Sequence, residues 1–271
     1  MIDLPGRGST FVRQADGPPG APTVVLSHGW LATADLNWGF SYPHLAEHFR
    51  VVALDQRGHG RGLRSTRRFS FADSADDVVA LADVLGIDRF VAVGYSMGGP
   101  VALELGRRHP DRVSGLVLCA TAAAFTSSPV ARFWLSSLGP VASATRVLPN
   151  TRFRAAARER FITRRAEGPW QHWISSELAP SDPTTMLEAG AALGTFNASH
   201  WARHLTVPSS VVVTTRDSLV APESQRALVR ALPRSETFPV DADHLACFDQ
   251  PEAFVPVLID ACRSVVRRAA T

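Results

Sequence analysis

Residues 90–99 read FVAVGYSMGG and constrain the fold more tightly than any other stretch of the chain. An apolar, β-branched run passes directly into G-x-S-x-G, and an amphipathic stretch follows at once. That is the strand–turn–helix setting in which a serine becomes exposed at the carboxyl end of a sheet. The turn forces Ser96 into a strained backbone conformation, so Gly94 and Gly98 must lack side chains where the chain crosses itself. The backbone N–H of Met97, at the start of the helix, is aimed at the place where an oxyanion would form. Gly-x-Ser-x-Gly by itself is a common turn; the flanking elements make it a candidate nucleophile.

The surrounding pattern is that of an α/β protein. Residues 23–27 (TVVLS), 50–54 (RVVAL), 90–93 (FVAV) and 113–118 (VSGLVL) are near-continuous apolar runs, as expected of parallel strands covered on both faces. Ser70 and Asp73 fit a capping box ahead of a helix whose apolar face is Val78, Leu81 and Leu85. After Ser96 a second helix carries Val101 and Leu105 on one face. Arg107, Arg108 and His109 complement its C-terminal dipole, and Pro110 stops it. Strand character returns at 210–215 (SVVVTT), then a helix over about 222–232, a short strand over about 236–240 and a last helix over about 251–267.

Between 122 and 200 the pattern changes. No strand-like run occurs, Pro129, Pro140, Pro149, Pro169, Pro180 and Pro183 recur, and large apolar rings gather: Phe125, Phe133, Trp134, Phe153, Phe161, Trp170 and Trp173. This predicts an inserted helical lid, 122–200, on a core formed by 1–121 and 201–271. The rings serve as the lid's own core, and some would wall a substrate cavity, favouring an apolar acyl or alcohol group. Between Arg132 and Arg165 there are eight arginines and one acid, Glu159. They suit a solvated helix face, or a field that draws anionic substrates or lipid to the site mouth.

Composition sets the remaining bounds. The 45% hydrophobic and 20% charged fractions over 271 residues are those of a globular protein with one sizeable core. A net charge of +3, all 28 basic residues being arginine, is too small to indicate nucleic-acid binding. Cys119, Cys247 and Cys262 cannot all pair, and Cys119 sits in an apolar run that suits a buried thiol. The start MIDLPGRG is unlike a secretory signal, and no apolar stretch reaches the roughly 18 residues of a membrane span. The expected location is cytoplasmic, with no integral membrane segment.

Three motifs in order give the chain a family likeness: Ser27-His28-Gly29-Trp30, Asp55-Gln56-Arg57-Gly58-His59-Gly60 and Gly94-Tyr95-Ser96-Met97-Gly98-Gly99. Over nearly the whole chain apart from the lid it resembles the α/β-hydrolase superfamily. The resemblance implies the α/β-hydrolase fold, a mostly parallel central sheet flanked by helices. It implies Trp30 as the second oxyanion N–H donor beside Met97, and makes the D-x-R-G-H-G segment structural.

A serine hydroxyl needs a base within hydrogen-bond reach and an acid to orient that base. Nine histidines compete. His28 and His59 belong to the turns just quoted, and His44, His48 and His109 lie on or beside helices. His244, in the loop DADHLA after the last strand, stands where the family places its base. Asp217, after SVVVTT, resembles the family's acid; the alternative stretch after the preceding strand, residues 119–122, has no carboxylate. The order Ser96, Asp217, His244 is that of the fold. The family often has glycine where Asp243 and Thr214-Thr215 stand. Asp241 and Asp243 could raise the histidine's pKa if close, or be plain surface acids. His200 and His204 have i, i+4 spacing, yet no H-E-x-x-H accompanies them and no third ligand is evident, so no metal is expected.

The expected activity is hydrolysis of carboxylic esters of small to medium apolar substrates through an acyl-enzyme, without cofactor. A C–C bond hydrolase, a lactonase, a cofactor-free perhydrolase or a ligand-binding protein with little turnover could use the same scaffold.

Overall fold

A computed structural model describes residues 1–125, 129–147 and 170–270. Phe153, Phe161, Pro149, Pro169 and the arginines at 152, 154, 158, 160, 164 and 165 lie outside the described residues, as do the side chains of Arg132 and Trp134.

The chain opens with a hairpin, β1 (Ile2–Leu4) paired antiparallel with β2 (Gly8–Thr10). The main sheet contains β3 (Val12–Ala15), β4 (Thr23–Ser27), β5 (Arg50–Leu54), β6 (Phe90–Tyr95), β7 (Val113–Cys119), β8 (Ser209–Thr214) and β9 (Ser235–Val240). Their order is β3-β5-β4-β6-β7-β8-β9, with β3 antiparallel and the other pairs parallel. Side chains alternate between the two faces. Val25, Val52, Ala92 and Leu116 join one core with Val78, Leu81, Val101, Leu105 and Leu228. Val24, Leu26, Val51, Val93 and Val117 face the other way, against Trp38, Phe254, Leu258 and Cys262. Covered on both sides, β4 to β8 can be continuously apolar, which is why they were readable as runs.

Helices α1 (Ala34–Trp38), α2 (Tyr42–Ala46), α3 (Phe71–Val84) and α4 (Gly98–Arg108) connect the first half. Ser70 caps α3: its Oγ accepts the Asp73 N–H at 3.0 Å and donates to the Asp73 carboxylate at 2.8 Å. Between β7 and β8 lie α5 (Pro129–Val147), α6 (Gln171–Leu178) and α7 (Pro183–Thr195), with α5 packed on α7. An isolated antiparallel bridge, Ala124 to Asn197, and the Ala198 N–H bonded to the Ala123 carbonyl at 2.7 Å bring the start and end of this segment together. Helices α8 (Pro222–Ala231), α9 (Ala246–Asp249) and α10 (Pro251–Ala269) complete the chain.

The spacing of His200 and His204 does not place them on one α-helical face: His200 is in a turn and His204 ends a 3₁₀ helix, Ala202–His204. Among the described residues no helix is long and apolar enough to cross a membrane.

Candidate active site

Ser96 stands at the end of β6 with φ +50°, a left-handed conformation that costs a non-glycine residue about 1–3 kcal/mol. The surroundings hold it there. Its N–H donates to the Cys119 carbonyl at 2.9 Å, and its carbonyl accepts from Thr121 Oγ1 at 2.8 Å and from the Gly99 N–H at 2.9 Å. A Cβ on Gly94 would collide with the Gly98 carbonyl, and one on Gly98 with the Ser27 carbonyl. Both glycines are therefore dictated by close passage of backbone past backbone.

The other two candidates arrive from the strands beyond β7. Asp217 follows β8 and His244 follows β9. His244 Nε2 lies 3.0 Å from Ser96 Oγ, and its Nδ1 lies 2.8 Å from Asp217 Oδ2. All three residues are buried, so little water competes for these bonds. Asp217 is fixed from every side. Its Oδ1 accepts the N–H groups of Leu219 at 2.9 Å and Val220 at 2.7 Å; its Oδ2 accepts from Thr214 Oγ1 at 2.7 Å and Gln225 Nε2 at 3.1 Å as well as from His244. His244 is pinned through its backbone, because Tyr95 donates its hydroxyl to the His244 carbonyl at 2.6 Å.

Asp241 and Asp243 are exposed acids. Asp241 pairs with Arg216 at 2.9 Å. Asp243 accepts the N–H groups of Ser218 at 2.8 Å and His244 at 2.6 Å, and these bonds hold its carboxyl below the usual range. It staples the loop after β8 to the loop after β9 through backbone amides.

A serine on a strained strand-to-helix turn after β6, within hydrogen-bond reach of a histidine from the loop after β9 that itself meets an aspartate from the loop after β8, sits on a sheet whose first half carries the three motifs in order. The family model described as alpha/beta hydrolase fold matches residues 22–251. The chain belongs to this family. Pimeloyl-[acyl-carrier protein] methyl ester esterase of Nitrosospira multiformis is 26% identical over 255 residues, covering 89% of this chain and 95% of the esterase. Epoxide hydrolase B of Mycobacterium tuberculosis is 38% identical over 116 residues, 41% of this chain and 32% of that protein. The crystal structure of the enol-lactonase from Burkholderia xenovorans LB400 superposes with a TM-score of 0.74 at 26% identity, covering 95% of this chain and 97% of the other. Matches at 36–41% identity are local, and in them the chain spans only about a third of those relatives' lengths, 28% to 38%.

In this α/β-hydrolase the loop after β4 carries Trp30. The His28 ring is wholly buried, and burial pulls its pKa down to about 4, so it is neutral near pH 7. Its Nε2 accepts the Gln56 N–H at 2.9 Å, which leaves Nδ1 to carry the proton and donate to the Gly29 carbonyl at 2.8 Å. Leu31, next along, has φ +58°. The Trp30 ring donates Nε1–H to the Met186 carbonyl of α7 at 2.8 Å, tying this loop to the segment between β7 and β8. Met97 is the N-cap of α4.

The D-Q-R-G-H-G turn is occupied structurally. Buried Asp55 accepts the N–H groups of Ala34 at 2.8 Å and Arg61 at 2.9 Å, and Arg57 grips Asp77 through Nε at 2.7 Å and Nη2 at 2.8 Å. Burial, followed by the neighbouring His28, lowers the His59 pKa to about 3. The same turn receives the helical segment: the Asp182 N–H donates to the Gly58 carbonyl at 2.8 Å, the Gly60 N–H to Ser181 Oγ at 2.9 Å, and Arg61 pairs with Glu177 at 2.9 Å.

Gln225, Tyr95 and Asn37 support the site and were not singled out from sequence; Thr214, noted there only as standing where the family often has glycine, supports it through Asp217. Gln225 reads as a polar position on the expected helix 222–232, where exposure is usual, and Asn37 lies in a stretch with no readable pattern; both are buried. Tyr95 lies inside the nucleophile motif, and its position was the one available signal.

Proposed function

We propose that this α/β-hydrolase cleaves carboxylic esters of small to medium apolar substrates through an acyl-enzyme on Ser96. The observation that carries this reading is the unbroken hydrogen-bond chain Asp217–His244–Ser96, ending on a hydroxyl held in left-handed backbone. His244 Nε2 removes the Ser96 proton as Oγ attacks the ester carbonyl, and Asp217 holds the imidazole in the tautomer that accepts it. The negative charge on the former carbonyl oxygen is received by the N–H groups of Trp30 and Met97. His244 then returns the proton to the departing alcohol. Water, deprotonated by His244, releases the carboxylic acid and restores Ser96.

The segment between β7 and β8 acts as the cap. Its Trp173 stacks on Phe248 with centroids 5.9 Å apart, and Phe40 and Trp170 complete an aromatic group only four residues beyond His244. If these rings line the substrate cavity, they would suit an apolar acyl or alcohol group.

Likeness to an enol-lactonase across 95% of the chain favours cyclic esters as a second reading with identical chemistry. The test is hydrolysis of p-nitrophenyl esters of increasing acyl length and of γ- and δ-lactones, by wild type and Ser96→Ala. Turnover that falls at least about 10³-fold in Ser96→Ala supports the mechanism. Turnover that survives the substitution refutes it.

A further inference from the structure

We infer that Asn37 is a positioning residue for the oxyanion site, setting the direction of the Trp30 N–H through Gly29. The inference rests on the serine-hydrolase reading above and adds a residue to it.

Two consecutive peptide units flank Gly29, and together they own four polar groups. The His28 carbonyl accepts from Gln56 Nε2. The Gly29 N–H donates to Asn37 Oδ1 at 2.8 Å. The Gly29 carbonyl accepts from His28 Nδ1 at 2.8 Å. The fourth, the Trp30 N–H, has no partner among the described residues. It shares a rigid plane with the Gly29 carbonyl and points the opposite way. Fixing the first three groups therefore fixes the fourth, and Asn37 supplies the hold on the first plane that comes from outside the β4 and β5 loops.

Asn37 is itself anchored. It belongs to α1, whose N-cap Thr33 accepts the Leu36 N–H at 3.2 Å and whose Ala34 N–H is held by Asp55 at 2.8 Å. The side chain lies beside the nucleophile: a Cβ placed on Gly29 would lie 3.4 Å from both Asn37 Oδ1 and Ser96 Cβ.

A second observation separates this role from ordinary support. Asn37 is 4% exposed, and its Nδ2 is buried without a partner. An unsatisfied buried donor weakens a fold, so a leucine of similar size would serve packing at least as well. An amide at this position is explained by what Oδ1 holds.

The experiment compares Asn37→Leu and Asn37→Asp with wild type for kcat and KM on a p-nitrophenyl ester, inhibition by an alkyl boronic acid, and melting temperature. The boronic acid forms a tetrahedral adduct on Ser96 and reports the oxyanion site directly. Asn37→Leu is expected to keep its melting temperature within a few degrees while kcat falls about 10- to 100-fold, somewhat less than loss of an oxyanion donor. KM should change less than about threefold, as for an interaction made in the transition state, and boronic acid affinity should fall in step with kcat. Asn37→Asp, which keeps an oxygen facing the Gly29 N–H, should recover at least half of the loss on a logarithmic scale. If Asn37→Leu does not fold, Asn37→Ala is read by the same quantities.

A folded variant with wild-type kcat and boronic acid affinity overturns the role, as does a loss confined to KM. Labelling of Ser96 by a fluorophosphonate keeps the two levels apart. An unlabelled wild type overturns the serine-hydrolase reading and this one with it; a labelled wild type beside an indifferent Asn37→Leu overturns the positioning role alone.

Discussion

Gln225 Nε2 donates to Asp217 Oδ2 at 3.1 Å, the same carboxylate oxygen that His244 Nδ1 reaches at 2.8 Å. The amide also accepts the Thr214 N–H through Oε1 at 3.0 Å and donates to the Val220 carbonyl at 2.8 Å. One wholly buried side chain on α8 thus holds both ends of the acid loop. Gln225→Leu should cost about 1–3 kcal/mol in denaturant unfolding, because the Thr214 N–H and the Val220 carbonyl lose their partner. It should lower kcat about tenfold with little change in KM, as expected when an orienting contact near the acid is loosened. Asp217→Asn, measured beside it, should be much worse, about 10³- to 10⁴-fold in kcat, because the imidazole loses the partner that sets its tautomer.

Acid should destabilise the fold through His28 and His59. Burial lowers their folded pKa values to about 4 and about 3, below the ordinary 6.5. As pH falls from 6.5, the unfolded chain takes up these protons first. Their contribution is complete above about pH 6.5 and is lost on the way down, at about 1.4 kcal/mol per pH unit for each histidine until the folded pKa is reached. Urea titrations at pH 7, 6, 5 and 4.5 measure the slope. In His59→Gln it should be shallower by about 1.4 kcal/mol per pH unit; an unchanged slope would refute the assignment.

The thiols should be silent in the native protein. Cys119, Cys247 and Cys262 are buried, with burial raising Cys247 and Cys262 to about 12 and Cys119 well above its usual range. Thiolates react and thiols do not, so alkylation should be slow and should leave activity intact. Titration with a chromogenic disulfide should find almost none before denaturation and all three afterwards.

Glu188 should matter for the attachment of the helical segment. Its carboxylate accepts from Arg146 of α5 at 2.6 and 2.9 Å and from the Phe69 N–H of the core at 2.9 Å, while Arg146 also donates to the carbonyls of Thr66 and Arg67. Glu188→Ala should lower stability by about 2 kcal/mol, the scale of hydrogen bonds to a charged group. The denaturation midpoint should fall without a change in slope.

The parallel strands and the strand-to-helix turn at Ser96 were legible because burial on both faces writes itself as unbroken apolar runs such as TVVLS and SVVVTT. The three N-terminal strands were not. IDL and GST are too short to show a period, and VRQA is a half-exposed antiparallel edge strand with little apolar character. Helices α1, α2 and α9 have four or five residues each, fewer than two turns, so no amphipathic repeat can develop. Ser96, Asp217 and His244 could be named because each follows a readable strand. Asn37 and Gln225 could not, since their value lies in which backbone group each amide meets, and that is decided by the fold.

The sheet order has a consequence for how the molecule fails. Ser96 ends a central strand, whereas His244 hangs from β9, which among the described residues pairs only with β8 and has mostly half-buried or exposed side chains. Edge elements open locally at lower free energy than the centre of a sheet. A transient detachment of β9 would carry His244 away while β6 and Ser96 stay intact. Heat should therefore silence this molecule reversibly some degrees before it melts, leaving an inactive but nearly complete fold in which Ser96 keeps its place and His244 has swung away.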